Sequence, residues 1–274
     1  MKYSVSALCA ILLLTLSCAT TGPGGQKSFI MIGTAQEVSI GQGMADELSK
    51  TEKKLADQSW QNYLNEVGQK IVAVSDRKDV TYSFTVIESE DINAFAAPGG
   101  FVYFYTGLLR RMDNEGEMAA VLAHEISHVV ARHSIKRVQT AMGASLAYQL
   151  VFGDKGGEAL SAAVGVGMGL LFADYSREAE READKFGIYY MQKAGYDPNA
   201  AITMFEKLAA ASGSRGSSVF ERMSSSHPET IERITNAKQE IAAAGKLPAG
   251  LALGQRRYLE MRSRLPVPPA KTGK

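Results

Sequence analysis

Apolar residues recur along this chain with two different periods, and each period marks a kind of element. From Trp60 to Val74, the residues Tyr63, Val67 and Ile71 return every four positions, the spacing of one face of an amphipathic helix. Tyr82, Phe84 and Val86 instead alternate with Thr and Ser, the mark of a strand. A turn at Ala97-Pro98-Gly99-Gly100 leads into a second strand, Phe101 to Tyr105. Thr34-Ala-Gln-Glu37 reads as a capping box that opens an earlier helix, with Glu37 reaching back to the Thr34 N–H. Asn114, with Glu117 three residues on, caps a long helix predicted to run to about Ile135, with Met118, Val121, Leu122, Val129 and Val130 as its apolar positions.

Beyond Gln139 the pattern changes. Residues to Ala173 are mostly apolar and small, ending in a fifteen-residue run from Ala159 that is short for a membrane span and suits a buried or surface-docking helix. A charged helix starts at Ser176, and Asp197-Pro198 opens another that runs through Ala210. Gly and Ser dominate residues 212–226, a composition expected of a mobile loop, which leads into His227-Pro228. A helix from about Glu229 to Ala244 and a basic tail over 245–274 close the chain, and no internal repeat is present.

Composition narrows the class. The 274 residues suffice for one core, and 30 basic against 29 acidic residues leave no field to attract nucleic acid. Both cysteines, Cys9 and Cys18, lie in the first eighteen residues, which excludes a disulfide framework or a thiolate metal site in the body. The apolar run Val5–Leu16 after Lys2 has the length of a signal peptide, expected over 1–17. Leu14-Thr15-Leu16-Ser17-Cys18 resembles a lipoprotein signal in which Cys18 is acylated, followed by a Gly/Thr/Pro tether over 18–30. Ala19 after the cysteine resembles the pattern that permits sorting to the outer membrane.

The chemistry sits in His124-Glu125-Ile126-Ser127-His128. Helical residues four apart lie about 40° from each other, so both imidazoles leave one face and can share a Zn²⁺ ion. Glu125, one residue round, is placed to take a proton from water at the metal, the work of a general base. His133 lies about 180° round an unbroken helix from His124 and is not expected to ligate. Ala131 and Ser134 also stand where a metzincin would have Gly and His. A catalytic zinc needs a third protein ligand, and the acidic stretch Ser176-Arg-Glu-Ala-Glu180-Arg-Glu-Ala-Asp184 offers carboxylates. Glu180 and Asp184 share a face, so one can bind metal while the other fixes an imidazole tautomer. The helical wheel does not choose between Glu178, Glu180 and Glu182. His227 is a candidate oxyanion donor or a cap on the open metal position. Gly99, Gly100, Phe101, Val102 and Tyr103 form the candidate substrate strand, expected at a sheet edge that pairs with an extended peptide.

Five strings occur in a fixed order: Asn93-Ala-Phe-Ala-Ala-Pro-Gly-Gly100, Gly107-Leu-Leu109, Val121-Leu-Ala-His-Glu-Ile-Ser-His128, Ser176 to Asp184, and Ser226-His-Pro228. Together they resemble the gluzincin family of HtpX, the CAAX prenyl proteases and the periplasmic lipoprotein branch of BepA and LoiP, over about residues 34–235. The chain lacks runs matching the transmembrane helices of the first two groups, and too little follows His227-Pro228 for tetratricopeptide repeats, so it looks closest to the compact lipoprotein members. The resemblance implies His124, His128 and Glu180 as zinc ligands, Glu125 as base and Asp184 as the outer partner of a ligand histidine. It implies an α+β, mainly helical zincin-like (minigluzincin) fold with a small β-sheet, its metallopeptidase domain spanning 31–244. The function it implies is zinc-dependent cleavage of unfolded or misassembled envelope proteins, with one zinc per chain. The alternative is an envelope chaperone or adaptor whose protease site is latent, binding clients through the strand edge and the apolar 139–173 region.

Overall fold

Strands β1 (Cys18–Thr21) and β2 (Gln26–Phe29) pair antiparallel, Cys18 opposite Phe29 and Thr21 opposite Gln26, in a computed structural model that describes residues 18–21, 26–153, 156–212 and 230–268. Composition alone reads this stretch as a tether; its described residues pair as two strands. The chain then enters the body through buried Ile30 and Ile32, held where the Met31 N–H donates to Gln139 Oε1 at 2.6 Å.

Helix α1 (Thr34–Thr51) begins where expected, but not through a capping box. Gly33 is the N-cap, and Glu37 is turned inward, 1% exposed, to face two arginines. Arg77 donates to both Glu37 oxygens at 2.9 Å, and Arg132 Nε donates to Oε2 at 2.8 Å. The Glu37 carboxylate thus faces two buried guanidiniums instead of the backbone N–H at the helix start.

Helix α2 (Gln58–Val74) buries Trp60, Tyr63, Leu64, Val67 and Ile71. The sheet follows as β3 (Ser83–Ile87), β4 (Ala94–Ala97) and β5 (Phe101–Tyr105), with a 3-10 turn at Pro98–Gly100 between the last two. Its order is β3-β5-β4, with β3 parallel and β4 antiparallel to β5. This corrects the substrate-strand expectation. Phe101, Val102 and Tyr103 lie in the central strand, so their backbone is committed to neighbours on both sides. The preceding strand Ala94–Ala97 is one of the two edges, with β3 the other. Gly99 and Gly100 serve the turn: Gly99 has φ +78, and its N–H donates to Glu37 Oε1 at 3.2 Å. Alternation along β5 divides the core, with Val102 and Phe104 facing the α2 side and Tyr103 and Tyr105 facing the α1 side.

After the single turn α3 (Thr106–Leu109) comes α4 (Glu115–Val130), capped by Asn114, whose Oδ1 accepts from the Glu117 N–H at 2.9 Å. The helix stops at Val130, short of Ile135. Ala131 ends it, and Arg132 takes a left-handed conformation, φ 56, held by Glu37 and by its Nη2 donating to the Ile32 carbonyl at 2.8 Å. Helices α5 (His133–Phe152) and α6 (Gly156–Leu170) pack on each other. Next come α7 (Arg177–Lys193), α8 (Asn199–Ser212), α9 (Thr230–Ala243) and α10 (Gln255–Arg262). The last lies in the segment that composition reads as a basic tail. It docks instead, because fully buried Tyr258 joins Trp60 and Tyr63 and donates to the Leu109 carbonyl at 2.6 Å. No helix among the described residues is long and apolar enough to cross a membrane.

Candidate metal centre

Helix α4 is buried along its whole length, so its histidines cannot be a solvated surface pair. His124 and His128 lie one turn apart, and their Nε2 atoms are 3.0 Å from each other. Glu180 enters from α7, with Oε1 3.3 Å from His128 Nε2 and Oε2 3.6 Å from His124 Nε2. Donors 2.0–2.1 Å from a tetrahedral zinc stand about 3.3 Å apart, so these separations suit one shared ion. Among the described residues, His124, His128 and Glu180 are the group that could hold a metal ion. Glu125 follows His124 on the same helix and is 1% exposed.

Gly187 lets α7 come close enough to deliver Glu180. A Cβ at that position would sit 3.1 Å from the His124 backbone nitrogen, a close approach that would press the two helices apart slightly. One turn beyond Glu180, Asp184 Oδ1 lies 2.8 Å from His124 Nδ1. An imidazole that binds metal through Nε2 keeps its proton on Nδ1, and Asp184 accepts it. Arg233 on α9 grips the same carboxylate with Nε and Nη2 at 2.8 and 2.7 Å. Its Nη2 is also 3.2 Å from His124 Nδ1, where two donors converge on one carboxylate oxygen. Burial alone would favour neutral Asp184, but Arg233 and His124 outweigh it and hold the carboxyl below the usual range. Burial likewise opposes charge on Arg233, and Asp184 more than compensates.

His128 is fully buried, which pushes its basicity well below that of a free imidazole and keeps its lone pair available. Tyr175 stacks on its ring at 4.1 Å and donates to or accepts from Ser134 Oγ at 2.8 Å. Burial raises the Tyr175 hydroxyl to about 12, so it stays protonated. His133 stands outside the His124, His128 and Glu180 group, yet it is not remote: its Nδ1 lies 2.9 Å from His128 Nδ1. The break at Arg132 swings it back, which an unbroken wheel does not anticipate.

The structure thus brings His124, Glu125, His128, Glu180 and Asp184 into one buried cluster. It does not bring Phe101, Val102 or Tyr103 to an edge, and His227 lies outside the described residues. Arg233, His133, Glu182 and Tyr175 have no signal in local spacing, because their roles depend on packing between helices. A hint for Arg233 is its place six residues after His227, in the helix following the Ser226-His-Pro228 string.

Residues 58–241 match peptidase family M48. The mitochondrial metalloendopeptidase OMA1 of Schizosaccharomyces pombe is 35% identical over 184 residues, covering 66% of this chain and 53% of that protein. The beta-barrel assembly-enhancing protease of Escherichia coli is 30% identical over 225 residues, 78% of this chain and 45% of that protein. Metalloprotease YcaL of Escherichia coli is 29% identical over 228 residues, 82% of this chain and 83% of that protein. The chain spans about half the length of the first two relatives. With two thirds of its residues inside the match and a His-His-Glu cluster at the helix–helix contact, the chain belongs to peptidase family M48.

Proposed function

We propose that this protein is a zinc-dependent endopeptidase of the bacterial cell envelope that cleaves unfolded or misassembled proteins. The carrying observation is the convergence of His124, His128 and Glu180 beside a buried carboxylate, Glu125, that is not needed as a ligand. Kinship with a protease named for enhancing β-barrel assembly supports the substrate class. The lipoprotein-like Leu14–Cys18 string supports acyl anchoring at Cys18 on the periplasmic face, in the outer membrane.

His124, His128 and Glu180 would hold the ion. Bound zinc supplies Lewis acidity toward a peptide carbonyl and toward the attacking water. Glu125 takes a proton from that water and passes it to the departing amide nitrogen. Asp184, gripped by Arg233, keeps His124 in the tautomer that presents Nε2 to the metal. An extended substrate would lie along the edge strand β4, which packs against α4, rather than along β5. His227, as the cap or the oxyanion donor, belongs to the same proposal.

The test is one equivalent of zinc in purified protein together with cleavage of unfolded casein, compared with Glu125→Gln. The variant is expected to keep its zinc and lose cleavage. A variant that cleaves at the parent rate refutes the mechanism. One observation favours a second reading, a client-binding chaperone or adaptor with a latent site: all five clustered groups are at most 5% exposed. Parent protein that binds zinc, binds unfolded casein and never cleaves it would establish that reading instead.

A further inference from the structure

The two ligand histidines are oriented differently. His124 presents its Nδ1 directly to a carboxylate, Asp184. His128 presents its Nδ1 to a different partner. What faces that atom is another imidazole, His133, at 2.9 Å. The far nitrogen of His133, Nε2, lies 3.1 Å from Glu182 Oε2. We propose that His133 and Glu182 form a positioning pair for His128, holding through an intervening imidazole the tautomer that Asp184 holds directly for His124.

The proton arrangement follows from the contacts. Two ring nitrogens at hydrogen-bond distance need one proton between them, because two donors repel and two acceptors leave the contact empty. If His128 offers Nε2 to a metal, its proton is on Nδ1. His133 Nδ1 must then be the bare acceptor, so its own proton is on Nε2. A carboxylate is the partner that fixes that choice, and Glu182 stands there. One assignment satisfies all the contacts in series: Glu182 accepts from His133, and His133 accepts from His128. The same geometry excludes His133 as a ligand of that ion, since it meets His128 on the ring edge away from Nε2.

Three features point to a built arrangement rather than a chance contact. His133 is 5% exposed, and a buried imidazole needs partners at both nitrogens. It reaches His128 only because α4 breaks at Arg132, whose left-handed backbone is pinned by Glu37 and Ile32. Glu182 and Glu180 are also neighbours on one helix with divided duties, the first toward His133 and the second toward both Nε2 atoms. Two carboxylates of α7, between which the wheel alone does not choose, therefore serve the two ligand histidines.

The proposal rests on the metal reading above, and the experiment separates the two. Zinc affinity is measured by competition with a chromogenic chelator in the parent, His133→Phe, His133→Asn, Glu182→Ala, the double variant His133→Phe/Glu182→Ala, and Glu178→Ala. Loss of an outer partner of a ligand typically lowers metal affinity by about 10–100-fold, and His133→Phe is expected in that range. His133→Asn places an amide oxygen near the position of Nδ1 and is expected to recover most of the loss. Glu182→Ala should weaken binding less than His133→Phe. The double variant should be no worse than His133→Phe alone, because Glu182 acts only through His133. Glu178→Ala should match the parent. The visible spectrum of cobalt-loaded protein should shift in His133→Phe, a change that packing loss distant from the ion does not produce. Parent affinity in folded His133→Phe overturns the pair. If that variant does not fold, parent affinity in Glu182→Ala overturns it, as does strict additivity of the two losses in a His133→Asn/Glu182→Ala double variant. A parent that binds no zinc refutes the metal reading itself.

Discussion

Changing Glu37 to Gln removes one negative charge and almost no volume, so its effect isolates electrostatics. Glu37 lies 1% exposed between Arg77, 6% exposed, and Arg132, 8% exposed. It accepts two hydrogen bonds from Arg77, one from Arg132 and one from the Gly99 N–H. The amide keeps one acceptor oxygen and turns the other into a donor that faces a guanidinium. Both arginines stay charged, because a guanidinium does not give up its proton, so two buried cations are left without their shared anion. Removing one member of a buried ion pair costs about 3–5 kcal/mol. Some relief comes from the carbonyls of Val129 and Ile32 and from Asp79, each of which already accepts from one of the arginines. At about 2–4 °C per kcal/mol for a domain of this size, the melting temperature is expected to fall by roughly 6–20 °C. Scanning calorimetry on metal-free protein measures it without interference from zinc linkage. Zinc affinity should fall as well, because Glu37 holds the Arg132 break that aims His133 at His128. A melting temperature within about 2 °C of the parent would refute the view that this triad staples α1 to the end of the metal helix.

Two further outcomes are expected. Burial holds His128 and His133 below the ordinary imidazole range, so the unfolded chain takes up protons at higher pH than the folded one. Stability of the metal-free protein should therefore fall on acidification from pH 6.5 to 5.5, by about 1 kcal/mol for each histidine that stays neutral when folded. The lowered Asp184 adds its own loss only further into acid, as pH falls through its folded value. Urea melts at several pH values check this, and stability that is flat or rises on acidification refutes it. In cells, labelled palmitate should mark the parent and not Cys18→Ala; a processed Cys18→Ala protein still fractionating with membranes would move attachment to the apolar 139–173 region.

Local pattern reached as far as local physics extends. The helical period by itself places His124 and His128 on one face with Glu125 beside them, because four residues make about one turn wherever a helix forms. The Asn114 cap, the strand around Phe84 and the Ser176 helix start were legible for the same reason, being settled within a few residues. The third donor was different. A wheel does not choose between Glu178, Glu180 and Glu182, and only the approach of α7 at Gly187 selects Glu180 for the Nε2 atoms and Glu182 for His133. Sheet order was equally hidden, since alternation tells that Phe101–Tyr105 is a strand and says nothing about how many neighbours it has. Glu37 matched a capping box in sequence and became the anion of a buried triad, because Arg77 and Arg132, 40 and 95 residues away, outbid a backbone N–H. That triad ends α4 at Val130 and turns His133 back toward the ligands. Spacing determined which residues can act together on one helix. Tertiary packing decided which residues from other elements complete them, because a carboxylate's partner is set by distance in space and by burial, and neither is written in a local window.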